Sequence, residues 1–144
     1  MRRFRFRLET VLGWRRLHLE LEETKLQRLF EELRRVDLAE DRLDTEKSEA
    51  DRAVLNSPSV EARDLAALDS HRLHVAREKG RLRKERADCQ RRIAAQRDRV
   101  LKAERDVRLL EKLKERRLAE WQTAADREQE ALASELFLAR WHRK

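Results

Sequence analysis

The residues best equipped for chemistry are few and widely separated. His71 and His74 stand three apart and could share a metal ion on one helix face. Two imidazoles with no nearby cysteine and no clear carboxylate set make a poor site. Cys89 is the single cysteine, so it can neither close an internal disulfide nor build a zinc site without several other ligands. Gly13 and Gly80 are the only glycines and lie far apart, whereas a phosphate-cradling loop needs several clustered together. Carboxylates are abundant, but they read as a solvated face. No Ser/His/Asp or Cys/His set has a cleft to sit in, because a pair of helices offers none. The expectation is a protein with no enzymatic activity, no cofactor and no metal.

The elements that carry these residues follow from composition. One proline and two glycines in 144 residues leave few places for a helix to break. Charged residues make up 45% of the chain and the apolar set only 40%. That mixture reads as long helix or coiled coil rather than a globule with a large core. Disorder is the rival for so charged a chain, and periodicity decides against it.

One apolar stripe runs Leu8, Leu12, Arg15, Leu19, Glu22, Leu26, Leu29, Leu33, Val36, Glu40, Leu43, Lys47, Ala50. Its steps of four and three are those of a helix packed along a seam. A second begins Leu65, Leu68, Arg72, Val75, Lys79, Leu82, Arg86, Cys89, Ile93 and continues to Leu138. Cys89 therefore reads as a small buried hydrophobe. The charged interruptions read either as a deliberately loose hairpin or as long stems lying along the seam with their heads in water. The one strong break is Asn56-Ser57-Pro58-Ser59. Asn tolerates the conformation that ends helices, Ser57 can cap the next one, and Pro58 suits its first position.

The predicted fold is all-α. Two long helices, about 8–55 and about 58–140, form an antiparallel coiled-coil hairpin within a single domain, 1–144, with its turn at about 56–59. At 1.5 Å per residue the second helix, about 120 Å long, overhangs the first, about 70 Å long. Counted outward from the turn, residues 20–50 should lie beside roughly 64–94.

The net charge is +7, which admits nucleic acid, an anionic membrane surface or an acidic protein as partner. Its distribution is uneven. Residues 20–50 hold eleven acids and six bases, and residues 77–117 hold seventeen bases and eight acids. The basic run is interleaved with acids and contains no aromatic residue to stack on bases, which weighs against nucleic acid. The two ends differ from the middle. Phe4 and Phe6 alternate with arginines, and Trp121, Phe137 and Trp141 lie where the second helix has outrun the first. Such aromatics are typical anchors for protein contacts. The alternative is that the arm carrying Phe4 and Phe6 folds back on the overhang. No segment is apolar enough to span a bilayer, no signal-peptide core follows the basic start, and a reduced, cytoplasmic setting is the simple inference from cysteine usage.

Phe4-Arg5-Phe6-Arg7-Leu8-Glu9-Thr10-Val11-Leu12, with Arg15 and Arg16, resembles the opening of the flagellar export protein FliJ family. Leu109-Leu110-Glu111-Lys112-Leu113-Lys114-Glu115-Arg116-Arg117, then Trp121, Arg127-Glu128-Gln129 and Glu135, resembles its close. Length and the single mid-chain turn also fit. Ser134 departs from the Asp that the family often carries. The resemblance implies a cytoplasmic coiled-coil stalk of the type III export apparatus of the bacterial flagellum, peripheral to the inner membrane. Its implied partners are a hexameric export ATPase (FliI-like), the export gate (FlhA-like) and export chaperones. By analogy with rotary stalks, Phe4, Phe6, Trp121, Phe137 and Trp141 would face the ATPase. Leu68, Arg72 and Val75, near the turn, would face the gate. The alternative from another class is a basic coiled coil that binds nucleic acid or an anionic membrane surface.

Overall fold

A computed structural model of the chain describes residues 2–143. It contains two helices, α1 (Glu9–Leu55) and α2 (Ala62–His142), packed against each other in an antiparallel hairpin, with no strand among the described residues. The all-α hairpin expected from periodicity is therefore what forms, and α1 ends at Leu55, just before the expected turn.

The start of α2 differs from expectation. Ser57 does not cap the helix, and Pro58 is not its first residue. The Ser57 hydroxyl instead donates to the Ser59 carbonyl oxygen at 3.0 Å, holding the turn together. Asn56 N–H and Ser57 N–H donate back to the carbonyls of Arg52 and Val54, closing the last turn of α1. The cap of α2 is Glu61, whose carbonyl accepts from Leu65 N–H at 3.2 Å. Its own N–H donates to the Asp64 carboxylate at 3.2 Å, the returning half of a capping box. Asp64 in the first turn also suits the positive end of the helix.

The chain divides into two compact units, residues 22–99 and residues 1–21 with 100–144. In the first of these, Leu68, Val75, Leu82, Cys89 and Ile93 of α2 are buried, as is Val36 of α1. Leu26, Leu29, Leu33, Leu43 and Ala50 are half-buried beside them. Burying each such aliphatic side chain contributes about 1.5–3 kcal/mol. Leu65, expected on the seam, is 52% exposed, because the pairing of the helices begins later than expected. Cross-helix ion pairs mark it: Arg72 with Asp51 at 3.1 Å, Lys79 with Asp44, Arg86 with Asp37 and, at 2.6 Å, with Glu40, and Arg92 with Glu32 at 3.4 Å. Each α1 residue thus meets a partner several positions further along α2 than a count from a tight turn suggests. The six-residue connection and an unpaired first stretch of α2 account for the offset.

The same pairs resolve what the charged interruptions do. Arg72, Lys79 and Arg86 neither loosen the helices nor leave their heads in water alone. They cross to acids on α1. The Arg86 guanidinium is held above its ordinary pKa by the hydrogen bond to Asp37 and then by that to Glu40. Exposed pairs of this kind contribute little individually, about 0–1 kcal/mol each, and here they mainly select the acidic helix for the basic one. The exceptional polar pair is internal: Glu22 and Gln96 are both buried. The Gln96 side-chain amide donates to the Glu22 carbonyl at 3.0 Å and to the Glu22 carboxylate.

The pairing gives a direct expectation. Spin labels at Arg42 and Arg81, opposite each other in this arrangement, should lie within about 20 Å, given helix axes 8–10 Å apart plus two label arms. One continuous helix would separate them by about 60 Å, and a double electron–electron resonance distance near that value would sink the hairpin.

In the other unit, Leu12 is fully buried, and Val100, Ala103, Val107 and Ala125 are buried with it. Arg15 pairs with Asp106 and Arg16 with Glu111, both at 3.3 Å, and Lys114 pairs with Glu9 at 2.9 Å. Arg15, expected on the stripe, is exposed and works through its charge.

Candidate protein-binding surfaces

Residues 2–6 have no regular secondary structure, and burial alternates along them: Phe4 and Phe6 are half-buried, while Arg3, Arg5 and Arg7 are exposed. That alternation lays two rings against α2 and leaves the guanidiniums outside. The Phe4 ring packs against Trp121, centroids 6.0 Å apart and planes tilted by 55°, a favourable geometry for aromatic pairs. The arm is tied at its far end where Glu9 N–H donates to the Phe6 carbonyl at 3.2 Å and Lys114 pairs with Glu9. The arm has folded back. Phe4, Phe6 and Trp121 come together, partly consumed by contact with one another. Around them is a groove of about 610 Å³ lined by Phe4, Arg5, Phe6, Arg7, Leu8, Leu113, Arg117 and Trp121.

Phe137 and Trp141 belong to neither the rings nor the groove. Past Ala125 every described residue of α2 is exposed. Ala131, Leu132, Ala133, Leu136, Phe137, Leu138, Ala139 and Trp141 fall on all sides of that helix, with Phe137 66% and Trp141 69% exposed. Apolar side chains outnumber the polar Ser134, Glu135 and Arg140 over residues 131–141, and so many large ones left in water mark a contact surface.

Of the three residues near the turn, Leu68 and Val75 are 7% and 2% exposed. They cannot be direct contacts for a partner while the helices are packed, because the period that made them candidates is the period of the seam. Arg72 is accessible but paired with Asp51. Arg72 and Val75 do help line a shallow depression of about 450 Å³ with Lys47, Asp51, Ala76, Lys79 and Arg83. Leu65 and Leu73, 52% and 54% exposed, are the apolar side chains that α2 presents nearby.

One surface escaped sequence reasoning. Val11, Trp14, Leu17 and Leu21 are all exposed on α1, Trp14 most of all. Their spacing of three, three and four residues was the available signal, hidden beside the stronger stripe through Leu8, Leu12 and Leu19. His71 and His74 gain no third ligand: among the described residues no group of three or more His, Cys, Asp or Glu could hold a metal ion. The His71 Nε2 atom is buried without a hydrogen-bond partner. No helix among the described residues is long and apolar enough to cross a membrane. No protein-family model, curated protein or solved structure matches the chain.

Proposed function

We propose that this chain is a non-catalytic adapter of the flagellar type III protein export apparatus, coupling a hexameric export ATPase to the export gate and export chaperones. The observation that carries it is residues 131–141 of α2, an exposed stretch in which Leu132, Leu136, Phe137, Leu138 and Trp141 stand in water. Such a stretch calls for a partner. The resemblance of both ends to the FliJ family supplies which one. On this reading the chain acts in the cytoplasm and reaches the inner membrane through its partners. The gate meets the turn-proximal part of α2 through Leu65, Leu73 and Arg72, the side chains accessible there, rather than through Leu68 and Val75.

The test is capture of the assembled hexameric ATPase by the purified chain. Saturable binding with a change in ATP turnover by the ring supports the proposal, and failure to bind the assembled ring sinks it. The chain alone should neither bind nor hydrolyse ATP, since Gly13 and Gly80 lie on helices and no glycine-rich phosphate loop exists. Calorimetric nucleotide binding in the micromolar range by the pure chain would contradict this.

A second reading rests on Lys102, Arg105, Lys112 and Arg116, exposed cations that form no ion pair with the described residues. Nucleic acid or an anionic membrane would be the partner. Binding of that kind falls steeply with salt and ignores the aromatic side chains.

A further inference from the structure

We propose that the groove beside the Phe4–Trp121 pair binds a short acidic peptide segment that carries one large apolar side chain. The inference deepens the partner-binding reading of this surface and rests on it, naming the chemistry of what enters.

The floor and walls are apolar: Phe4, Phe6, Leu8, Leu113 and Trp121. The remaining lining residues are Arg5, Arg7 and Arg117, and none is acidic. Arg5 and Arg7 form no ion pair with described residues, and Arg117 reaches only Glu120, at 3.7 Å between two exposed side chains. The arm itself carries no acid, and Glu9, the first residue of α1, is already engaged by Lys114. Two of the three guanidiniums around the apolar hollow, those of Arg5 and Arg7, thus lack counter-charge among the described residues, and the third has only a long, exposed pair. Guanidinium matches carboxylate in a planar, two-point geometry, and an apolar hollow of about 610 Å³ is in the range that encloses a ligand side chain or two.

Single-stranded nucleic acid fits less well. It needs a series of open ring faces along a basic track. Here two of the three rings are tilted onto each other, and Phe6 alone does not make a series. An isolated phosphate would use the arginines and leave the apolar hollow unfilled. A peptide with acids on either side of a phenylalanine or leucine uses both.

The test is fluorescence anisotropy of the full chain with a labelled peptide of sequence Glu-Asp-Phe-Asp-Glu in a Gly/Ser context. Saturable binding is expected. Two altered peptides, Phe changed to Ala and all acids changed to Lys, should each bind at least about tenfold more weakly. On the protein side, Arg5→Ser, Arg7→Ser and Arg117→Ser together should cost at least about tenfold. Lys102→Ser, Arg105→Ser and Lys112→Ser, an equal loss of charge outside the groove, should leave affinity within about twofold. Equal losses in the two triple variants would overturn the proposal, as would tighter binding of an oligothymidylate or no saturable binding below about 1 mM. Because the peptide changes leave the chain untouched, they decide even where a variant folds poorly. A chain that binds the peptide but not the ATPase ring overturns the adapter reading alone. One that binds the ring but not the peptide overturns this inference alone.

Discussion

Leu68→Ala combined with Val75→Ala should destabilise the hairpin by about 4 kcal/mol, since each truncation leaves a hole in a packed seam. For a chain of this size that corresponds to a fall of about 10–15 °C in melting temperature. The cause is burial: the two side chains are 7% and 2% exposed, so alanine removes contacts the neighbours cannot restore without shifting. Binding to an export gate would weaken in parallel, but only as far as the hairpin opens. The contrasting variant is Leu65→Ala with Leu73→Ala, where both side chains are half in water. It should leave the melting curve within about 1 kcal/mol of the parent while weakening gate binding. Thermal melts by circular dichroism beside gate titrations separate the two. If the buried pair can be truncated without cost, the seam runs elsewhere.

Phe137→Ala with Trp141→Ala should do the reverse. Both side chains stand in solvent and the helix there packs on nothing described, so stability should change by no more than about 0.5 kcal/mol. Truncating buried aromatic anchors of an interface typically costs 2 kcal/mol or more, which is about thirtyfold in affinity for the ATPase ring. Phe4→Ala with Trp121→Ala should instead affect both stability and binding, because those rings are in contact at 6.0 Å. Equal ring affinity for the parent and the Phe137/Trp141 variant would show that the ring uses another surface. The exposed row of Val11, Trp14, Leu17 and Leu21 would be the next to test.

Side-chain period was legible because it is a local property. Leu12, Val36, Leu68, Val75, Leu82, Cys89, Ile93, Val100, Ala103 and Val107 all lie on the two stripes and all are buried. The end of α1 was legible for the same reason, since Asn56 to Ser59 offers several breaking signals in a row. The cap was not: Ser57 and Glu61 compete for it, and the choice depends on where α2 can dock on α1. Nor was the pairing, which accumulates from the length of the connection and the long reach of Arg72, Lys79 and Arg86 to their acids. At the site, aromatic residues drew attention to the two ends of the chain. Their spacing could not say that Phe4 would meet Trp121 while Trp141 stayed in water, because that depends on the path of residues 2–8. Leu68 and Val75 misled for a related reason. A stripe marks what is hidden as readily as what is offered, and only the partner helix distinguishes the two.

The buried Glu22–Gln96 pair has a consequence for sliding. Heptad seams built from leucine and valine are nearly degenerate, since moving one helix seven residues along the other restores an apolar match. Here such a slip toward the turn would set Glu22 opposite Cys89 in place of Gln96. Glu22 would lose the Gln96 amide that donates to both its main-chain carbonyl and its carboxylate. Lys25, on the same helix, would stay with the carboxylate at 3.3 Å, but the buried amide of Gln96 and the carbonyl it meets would have to find new partners, at a cost of about 1–3 kcal/mol. Within residues 22–99 the pair therefore favours one register over its seven-residue neighbour and acts as a detent against sliding.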